Sequence, residues 1–164
     1  MDVTQDRRPA GYPGRTRPSL VTFDANLPIY AYDADSPYQL TAGAWFDQTL
    51  ASSVEIGIPF PSILAFIRIS TRPTLLRRPA SVADALAVVD SWLARSNTRI
   101  LSPGPNHWAI FRNLYTESKA TGKVSTDIHI AALAIEHSAT LYTSDRDFAR
   151  FPGLRWINPL ADHV

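Results

Sequence analysis

The chain has 164 residues, of which 16 are Lys or Arg and 15 are Asp or Glu, so its formal net charge is +1. Because the net charge is close to zero, it gives no indication of nucleic-acid binding by itself. There is no cysteine, which excludes disulfides and thiolate metal sites. The length fits one domain, and no apolar run approaches the roughly 20 residues that span a bilayer. Because no secretory signal is evident either, we expect a cytoplasmic protein.

The start of the chain divides into an arm and a first strand. Residues Met1–Ser19 are rich in Pro, Gly and Arg, which predicts a flexible N-terminal arm before a single domain at residues 20–164. Leu20–Asp24 (LVTFD) is a short apolar strand that ends in a carboxylate, and a helical turn is predicted at Ile29–Tyr32. A charge at the end of a buried strand is costly unless it is paired. For Asp24 alone, a helix cap and a functional role stay equally open.

Helices and strands alternate through the middle of the chain. Short β-favouring runs predict strands at Glu55–Pro59 and Thr98–Leu101. Apolar periodicity and helix-start residues predict helices at Tyr38–Ala51, Pro61–Ser70, Ser81–Arg95 and Asn106–Ala120. Two of them carry apolar stripes that predict their buried faces. The stripe of the first helix is Leu40, Ala44 and Trp45, and that of the third is Val82, Ala85, Leu86, Val89 and Leu93.

The stretch Ser125–Phe148 organises the rest of the chain. Asp127 lies at the start of a predicted helix, and Ile128–His137 is so apolar that this helix should be buried on most sides. The next strand is predicted at Ala139–Thr143, and a last short strand at Leu154–Ile157. Strands that alternate with helices predict an α/β fold, with a mostly parallel sheet and helices on both faces.

Four carboxylates stand at the ends of elements that should meet: Asp24, Asp127, Asp145 and Asp147. Ligands of open α/β sheets bind beyond the carboxyl ends of the strands. Acids crowded there repel one another unless they are protonated or a cation neutralises them. A cluster of oxygen ligands selects Mg²⁺ or Mn²⁺, and such ions assist phosphodiester hydrolysis. The alternative for each acid is a cap or a turn residue.

Several motifs together resemble PIN-domain ribonucleases, most closely the VapC-type toxins of toxin–antitoxin operons. They are FDANLPIYAYD, FIRISTRP, STDIHIAALAIEH and LYTSDRDFARFPGLRWINPL, and the resemblance covers Ser19–Leu160. It implies a three-layer α/β/α sandwich around a short, mostly parallel sheet. It also implies a Mg²⁺- or Mn²⁺-dependent endoribonuclease, the toxin of a type II system, that acts on tRNA or ribosomal RNA. A homodimer and a cognate VapB-like antitoxin that blocks the site are implied as well.

Carried over by motif, the resemblance implies that the metal ligands are Asp24, Asp127 and Asp145. The fourth acid, Asp147, would lie close by as a further catalytic residue, and Asn26 would support the loop after the first strand. Arg146 and Arg68 are candidates for contacts with RNA phosphates, the alternative being ordinary surface arginines.

One position departs from the family pattern. Many members carry a Glu early in the helix after the second strand, where this chain has Ala65. Asp147 is a candidate to replace that carboxylate. The departure leaves the number of metal ions open. It also supports a rival hypothesis, in which the protein is a catalytically silent PIN-like domain that binds RNA or antitoxin. A hydrolase of small phosphate esters is a weaker rival, because Asp24 is followed by Asn26 and not by a second Asp.

Overall fold

A computed structural model describes residues 19–119 and 121–161. The predicted N-terminal arm, apart from Ser19, therefore lies outside the described residues. The strands are β1 (Leu20–Phe23), β2 (Glu55–Pro59), β3 (Thr98–Leu101), β4 (Thr140–Tyr142) and β5 (Trp156–Ile157). The α-helices are α1 (Asn26–Tyr32), α2 (Gln39–Leu50), α3 (Phe60–Ser70), α4 (Val82–Leu93), α5 (His107–Glu117) and α6 (Ser125–Glu136). Two 3₁₀ helices cover Gly122–Val124 and Arg146–Arg150.

The strands form one five-stranded sheet in the order β3-β2-β1-β4-β5, and every neighbouring pair is parallel. From β1 the chain builds the sheet outward to β2 and β3, then crosses back to place β4 on the other side of β1. The order in which strands are added therefore reverses between β1 and β4, although all five strands run parallel. This reversal leaves a crevice beyond the carboxyl ends of these two strands, which is where open α/β sheets bind their ligands.

Helices cover both faces of the sheet, which confirms the predicted three-layer α/β fold. Successive side chains of a strand point to opposite faces, so β1 contributes to two cores. Leu20 belongs to one core together with Leu141 and the buried side of α6. Phe23 belongs to the other, where its ring meets the rings of Phe46 (5.1 Å between centroids) and Trp92 (6.0 Å) edge-on. Hydrophobic cores on both faces thus fix the position of the sheet and of its strand ends.

Two predicted helix faces differ from the structure. On α2 the buried residues are Ala42, Phe46 and Leu50, whereas Leu40 is 83% exposed and Ala44 is exposed. On α4 the predicted stripe is only partly right. Ala85 and Val89 are buried, Trp92 is buried with them, and Val82 and Leu86 are exposed. Both helices carry apolar residues around most of their circumference, so more than one stripe fits a helical period.

Helices α5 and α6 are joined by a polar cluster around His107, the first residue of α5. The Glu136 carboxylate accepts hydrogen bonds from the backbone N–H groups of Gly104 (2.9 Å) and Asn106 (2.9 Å). His107 packs between Glu136 (3.4 Å from Nδ1) and His129 (2.9 Å from Nε2). A Cβ on Gly104 would lie 2.6 Å from Glu136 Oε1, so only glycine permits this approach. The cluster fixes α6, the helix that carries Asp127 in its first turn.

No α-helix within residues 19–119 and 121–161 is both long enough and apolar enough to cross a membrane.

Candidate active site

Asp24 is the first residue beyond β1, at the point in the sheet where the strand order reverses. Its backbone N–H continues the sheet by donating to the carbonyl of Tyr142 on β4 (3.1 Å). Its Oδ1 atom accepts the N–H of Ala25 at 2.7 Å. Ala25, and not Asp24, is the N-cap of α1. The capping role considered for Asp24 is therefore wrong, and its carboxylate is directed into the crevice between β1 and β4.

Thr143 is the centre of the hydrogen bonds around this carboxylate. It follows β4, is fully buried, and lies beside Asp24 across the two parallel strands. Its hydroxyl oxygen accepts from Asn26 Nδ2 (3.0 Å) and from the N–H of Asp145 (3.0 Å). The hydroxyl donates to Asp24 Oδ2 over a longer distance of 3.4 Å. Sequence reasoning gave Thr143 no role, although it precedes Asp145 by two residues in the T-x-D motif. Asn26, expected to support the loop after the first strand, thus connects the start of α1 with the residue that follows β4.

The acids predicted from the strand and helix ends influence one another electrostatically. The pKa of Asp24 is raised from 3.8 to about 6, mainly because the carboxyl is buried. The hydrogen bond from the Ala25 N–H lowers this pKa, whereas the charges of Asp127 and Asp145 raise it further. Burial also raises the pKa of Asp127, and the charges of Asp145 and Asp147 add to this shift. The nearby carboxylates therefore make ionisation of Asp24 and of Asp127 more costly. The structure brings all four predicted acids into one electronegative region.

Asp145 and Asp147 differ in their surroundings. Asp145 is half-buried, and its Oδ1 accepts the N–H of Asp147 at 2.8 Å, which caps the 3₁₀ helix Arg146–Arg150. Asp145 is thus a turn residue, as considered, and it also lines the crevice. Asp147 is exposed and forms an ion pair of 3.4 Å with Arg150. It lies near Asp127 at the outer edge of the acidic region.

The crevice continues into a groove of about 410 Å³ between α1 and α3. Its polar lining consists of Asp24, Asn26, Ser144 and Asp145, and its less polar lining of Ala25, Ile29, Tyr30, Ala65 and Ile69. Ala65 thus faces the acids from α3, at the position where many PIN domains have a Glu. Asp147 does not line this groove. It lies near Asp127 instead. Asp147 therefore does not replace the carboxylate that many PIN domains have at the position of Ala65.

The two arginines proposed for RNA contacts are close in sequence to residues that line the groove. Arg146 follows Asp145 directly and is exposed. Arg68 is exposed on the last turn of α3, three residues beyond Ala65. Neither makes a hydrogen bond or ion pair with an acid of the site among the described residues, so both guanidinium groups are available to a ligand.

The crevice offers oxygen atoms as ligands for a divalent cation. No three His, Asp or Glu side chains within the described ranges converge closely enough to enclose an ion by themselves. Mg²⁺ does not need such an enclosure, because it keeps several waters and is usually held by one or two carboxylates plus substrate phosphate. The buried Oδ1 of Asn26 has no hydrogen-bond partner within the described residues. An acidic, all-oxygen crevice with an unused acceptor fits a hydrated Mg²⁺ or Mn²⁺ ion.

Comparison with known proteins agrees with this geometry. The family model for the PIN domain matches residues 21–154. The chain belongs to the PIN-domain family. Ribonuclease VapC33 of Mycobacterium tuberculosis is 37% identical over 143 residues, which cover 87% of this chain and 100% of the relative. Ribonuclease VapC37 of the same species is 33% identical and covers 84% of this chain and 96% of the relative. The VapC group suggested by the motifs is therefore confirmed.

Solved structures support the fold of this VapC-type PIN domain. VapBC2 of Rickettsia felis, determined with a promoter DNA fragment, has a chain that matches with a TM-score of 0.63 and 19% identity, over 85% of this chain and 98% of that one. VapC20 of Mycobacterium tuberculosis, described as a toxin that cleaves the sarcin–ricin loop, matches with a TM-score of 0.58 and 14% identity, over 82% and 98%. Because these identities are low, the two matches support the fold alone.

Proposed function

We propose that this VapC-type PIN domain is an endoribonuclease that hydrolyses RNA phosphodiester bonds, and that it is the toxin of a type II toxin–antitoxin pair. The observation that carries the proposal is the crevice between β1 and β4, where Asp24 is buried and the charges of Asp127 and Asp145 raise its pKa further. Carboxylates held in this way favour a cation in their midst. Relatives with 33–37% identity that are named as ribonucleases support the same activity.

Asp24, Asp127 and Asp145 would together attract a hydrated Mg²⁺ or Mn²⁺ ion, whose remaining ligands would be water and the substrate phosphate. When bound, such an ion lowers the pKa of water and offsets the charge that develops on the phosphate. Thr143 keeps the Asp24 carboxylate turned toward the crevice, and the same hydroxyl holds the loop of Asp145. Attack of water on phosphorus breaks the bond to one sugar oxygen, so one fragment keeps the phosphate and the other gains a hydroxyl. Asp147 would contribute negative charge from the outer edge of the site.

The proposed RNA contacts are made by Arg146 and Arg68. Both are exposed, and each is close in sequence to a residue that lines the groove, Asp145 for Arg146 and Ile69 for Arg68. Guanidinium groups bind phosphate oxygens in a bidentate manner, which would place the RNA backbone across the acids. Because phosphate contacts release counterions, RNA affinity should fall steeply as the salt concentration rises.

The proposed partners are a cognate VapB-like antitoxin and a second copy of this chain. Structural neighbours include FitAcB from Neisseria gonorrhoeae and a toxin–antitoxin complex from Klebsiella pneumoniae, with TM-scores of 0.59 and 0.56. An antitoxin that covers the crevice would keep the nuclease inactive until the antitoxin is removed. We place this activity in the cytoplasm, where tRNA and ribosomal RNA are found.

The test is cleavage of total RNA by purified protein freed of antitoxin, with Mg²⁺, with Mn²⁺ and with EDTA. The proposal predicts discrete fragments that need a divalent ion, and mapping of their ends identifies the substrate. A second candidate function is a catalytically silent RNA-binding PIN domain, which is favoured by Ala65 in the groove where many members have a carboxylate. Folded protein that binds RNA but cuts it with neither metal would establish that alternative.

A further inference from the structure

The groove beside the acids has two walls of different character. One wall belongs to α1, where Asn26 and Tyr30 are four residues apart and so lie on the same face of the helix. The other belongs to α3, where Ala65 and Ile69 have the same spacing. Both walls line the groove together with Asp24 at its inner end. The groove therefore runs from an acidic end, along α1 and α3, toward an apolar end.

Tyr30 is the largest side chain at the apolar end. It is half-buried, so one part of the ring packs on the protein and another part faces the groove. A second ring, that of Tyr38, contacts it with a centroid distance of 5.3 Å and an interplanar angle of 48°. The contact restricts the Tyr30 ring, so little rotamer freedom remains to be lost when a ligand packs against it. A restrained aromatic face beside a phosphate site is a stacking platform for a nucleobase.

We infer that Tyr30 stacks on the base of the nucleotide next to the phosphate held at the acids, with Ala65 and Ile69 forming the opposite wall of the base pocket. This inference rests on the proposed function, which places a phosphodiester at Asp24. Four helical residues rise about 6 Å, which is comparable to the length of one nucleotide in an extended strand. A Glu in place of Ala65 would put a carboxylate into this space. The small side chain therefore gives the groove room for a base.

The chemical class of the ligand follows from the shape of the groove. A base that enters between two helices has left both its stack and its pairing partner, so the recognised nucleotide is unpaired RNA. Stacking on tyrosine reads the flat face of the base and not its edge. Tyr30 therefore sets the position of the chain relative to the acids, and it acts as a positioning residue for the cut phosphate.

The test measures stacking separately from cleavage. The probe is a ten-nucleotide oligo(U) RNA with one 2-aminopurine at a central position; the neighbouring uracils stack weakly, so its fluorescence is high when free and falls when the base stacks on an aromatic ring. Binding is measured with the Asp24→Asn protein, so that the probe stays intact, and the Tyr30→Phe and Tyr30→Leu changes are added to it. Trp108→Leu is the matched control, because Trp108 is an aromatic side chain that is 70% exposed on α5 and does not line the groove.

The inference predicts that Tyr30→Leu abolishes the quenching and weakens binding roughly 5- to 150-fold, the range for loss of one base–aromatic stack. Tyr30→Phe and Trp108→Leu should bind and quench as the parent does. Quenching that is unchanged in a folded Tyr30→Leu protein overturns the inference. Failure of the proposed function is detected independently, as absent RNA cleavage by the wild-type protein, and does not affect this readout.

Discussion

Thr143 and Asp24 are 119 residues apart in the chain, and their side chains meet at 3.4 Å across the parallel strands β1 and β4. The same Thr143 hydroxyl accepts from Asn26 and from the backbone of Asp145. One buried side chain thus connects the strand end that carries the first acid with the loop that carries the third. The geometry of the acidic crevice depends on this connection more than on any contact between the acids themselves.

Replacing Thr143 with Val should lower both cleavage and stability. The change keeps the shape of the side chain but leaves Asn26 Nδ2 and the N–H of Asp145 without their acceptor, which costs about 1–3 kcal/mol of unfolding free energy. Groups that orient metal ligands typically affect activity by roughly 10- to 100-fold, and we expect a loss of that size. Thr143→Ser keeps the hydroxyl and should retain most of the activity. Urea denaturation and single-turnover cleavage of RNA measure the two effects.

Thr22→Val is the matched control for that experiment. Thr22 lies on β1 two residues before Asp24 and is fully buried, and its hydroxyl has no hydrogen-bond partner among the described residues. Removing an unsatisfied buried hydroxyl should leave stability unchanged or raise it slightly. Equal destabilisation by Thr22→Val and Thr143→Val would mean that the hydrogen bonds of Thr143 contribute nothing specific.

The pKa of Asp24 predicts a pH-dependent effect on stability. A carboxyl whose pKa is raised on folding, here from 3.8 to about 6, binds its proton more tightly in the folded state. Its ionisation therefore destabilises the fold as the pH rises from about 4 to above 6, by at most about 3 kcal/mol. In EDTA, Asp24→Asn should be more stable than wild type at pH 8, and the difference should vanish near pH 4.

The control for the stability difference is Asp90→Asn on α4, where the side chain is exposed. This protein should match the stability of wild type at both pH values. An Asp24→Asn protein that is equally stabilised at pH 4 and pH 8 would contradict the raised pKa, because the gain would then not come from removal of a titrating charge.

Ala65→Glu should strengthen cation binding. The new carboxylate would enter the groove that Asp24 and Asp145 line. We expect the Mg²⁺ concentration for half-maximal cleavage to fall roughly tenfold, which corresponds to about 1.4 kcal/mol. Without a cation the added charge should destabilise the fold, because it faces like charges. Ala65→Gln has the same size without the charge. If Gln and Glu change the Mg²⁺ requirement equally, the effect is not electrostatic.

Most of the architecture could be predicted from the sequence because its signals are local. The bounds of β2 and β3 agree with the predicted Glu55–Pro59 and Thr98–Leu101, since each is a short apolar or β-branched run next to turn residues. The positions of the acids followed from the same logic. Each of them stands at the end of a strand or at the start of a helix, and a parallel sheet gathers its carboxyl strand ends at one edge.

What could not be predicted depends on which elements become neighbours. On α2, the stripe of Leu40 and Ala44 and that of Ala42, Phe46 and Leu50 both have helical spacing, and only packing against α1 and β1 selects the second. The role of Thr143 likewise depends on β4 lying beside β1 in one particular register. Such long-range pairings leave no periodic signal in the sequence.

The most direct test of the account is the rate of RNA cleavage by wild type, Asp24→Asn and Asp90→Asn under single-turnover conditions in Mg²⁺. Loss of a ligand to a cation that stabilises the transition state should cost several kcal/mol, which corresponds to at least about a hundredfold in rate. We predict such a loss for Asp24→Asn and none for Asp90→Asn, with all three proteins folded. An Asp24→Asn protein that cuts RNA at the wild-type rate would contradict the assignment of the crevice between β1 and β4 as the active site.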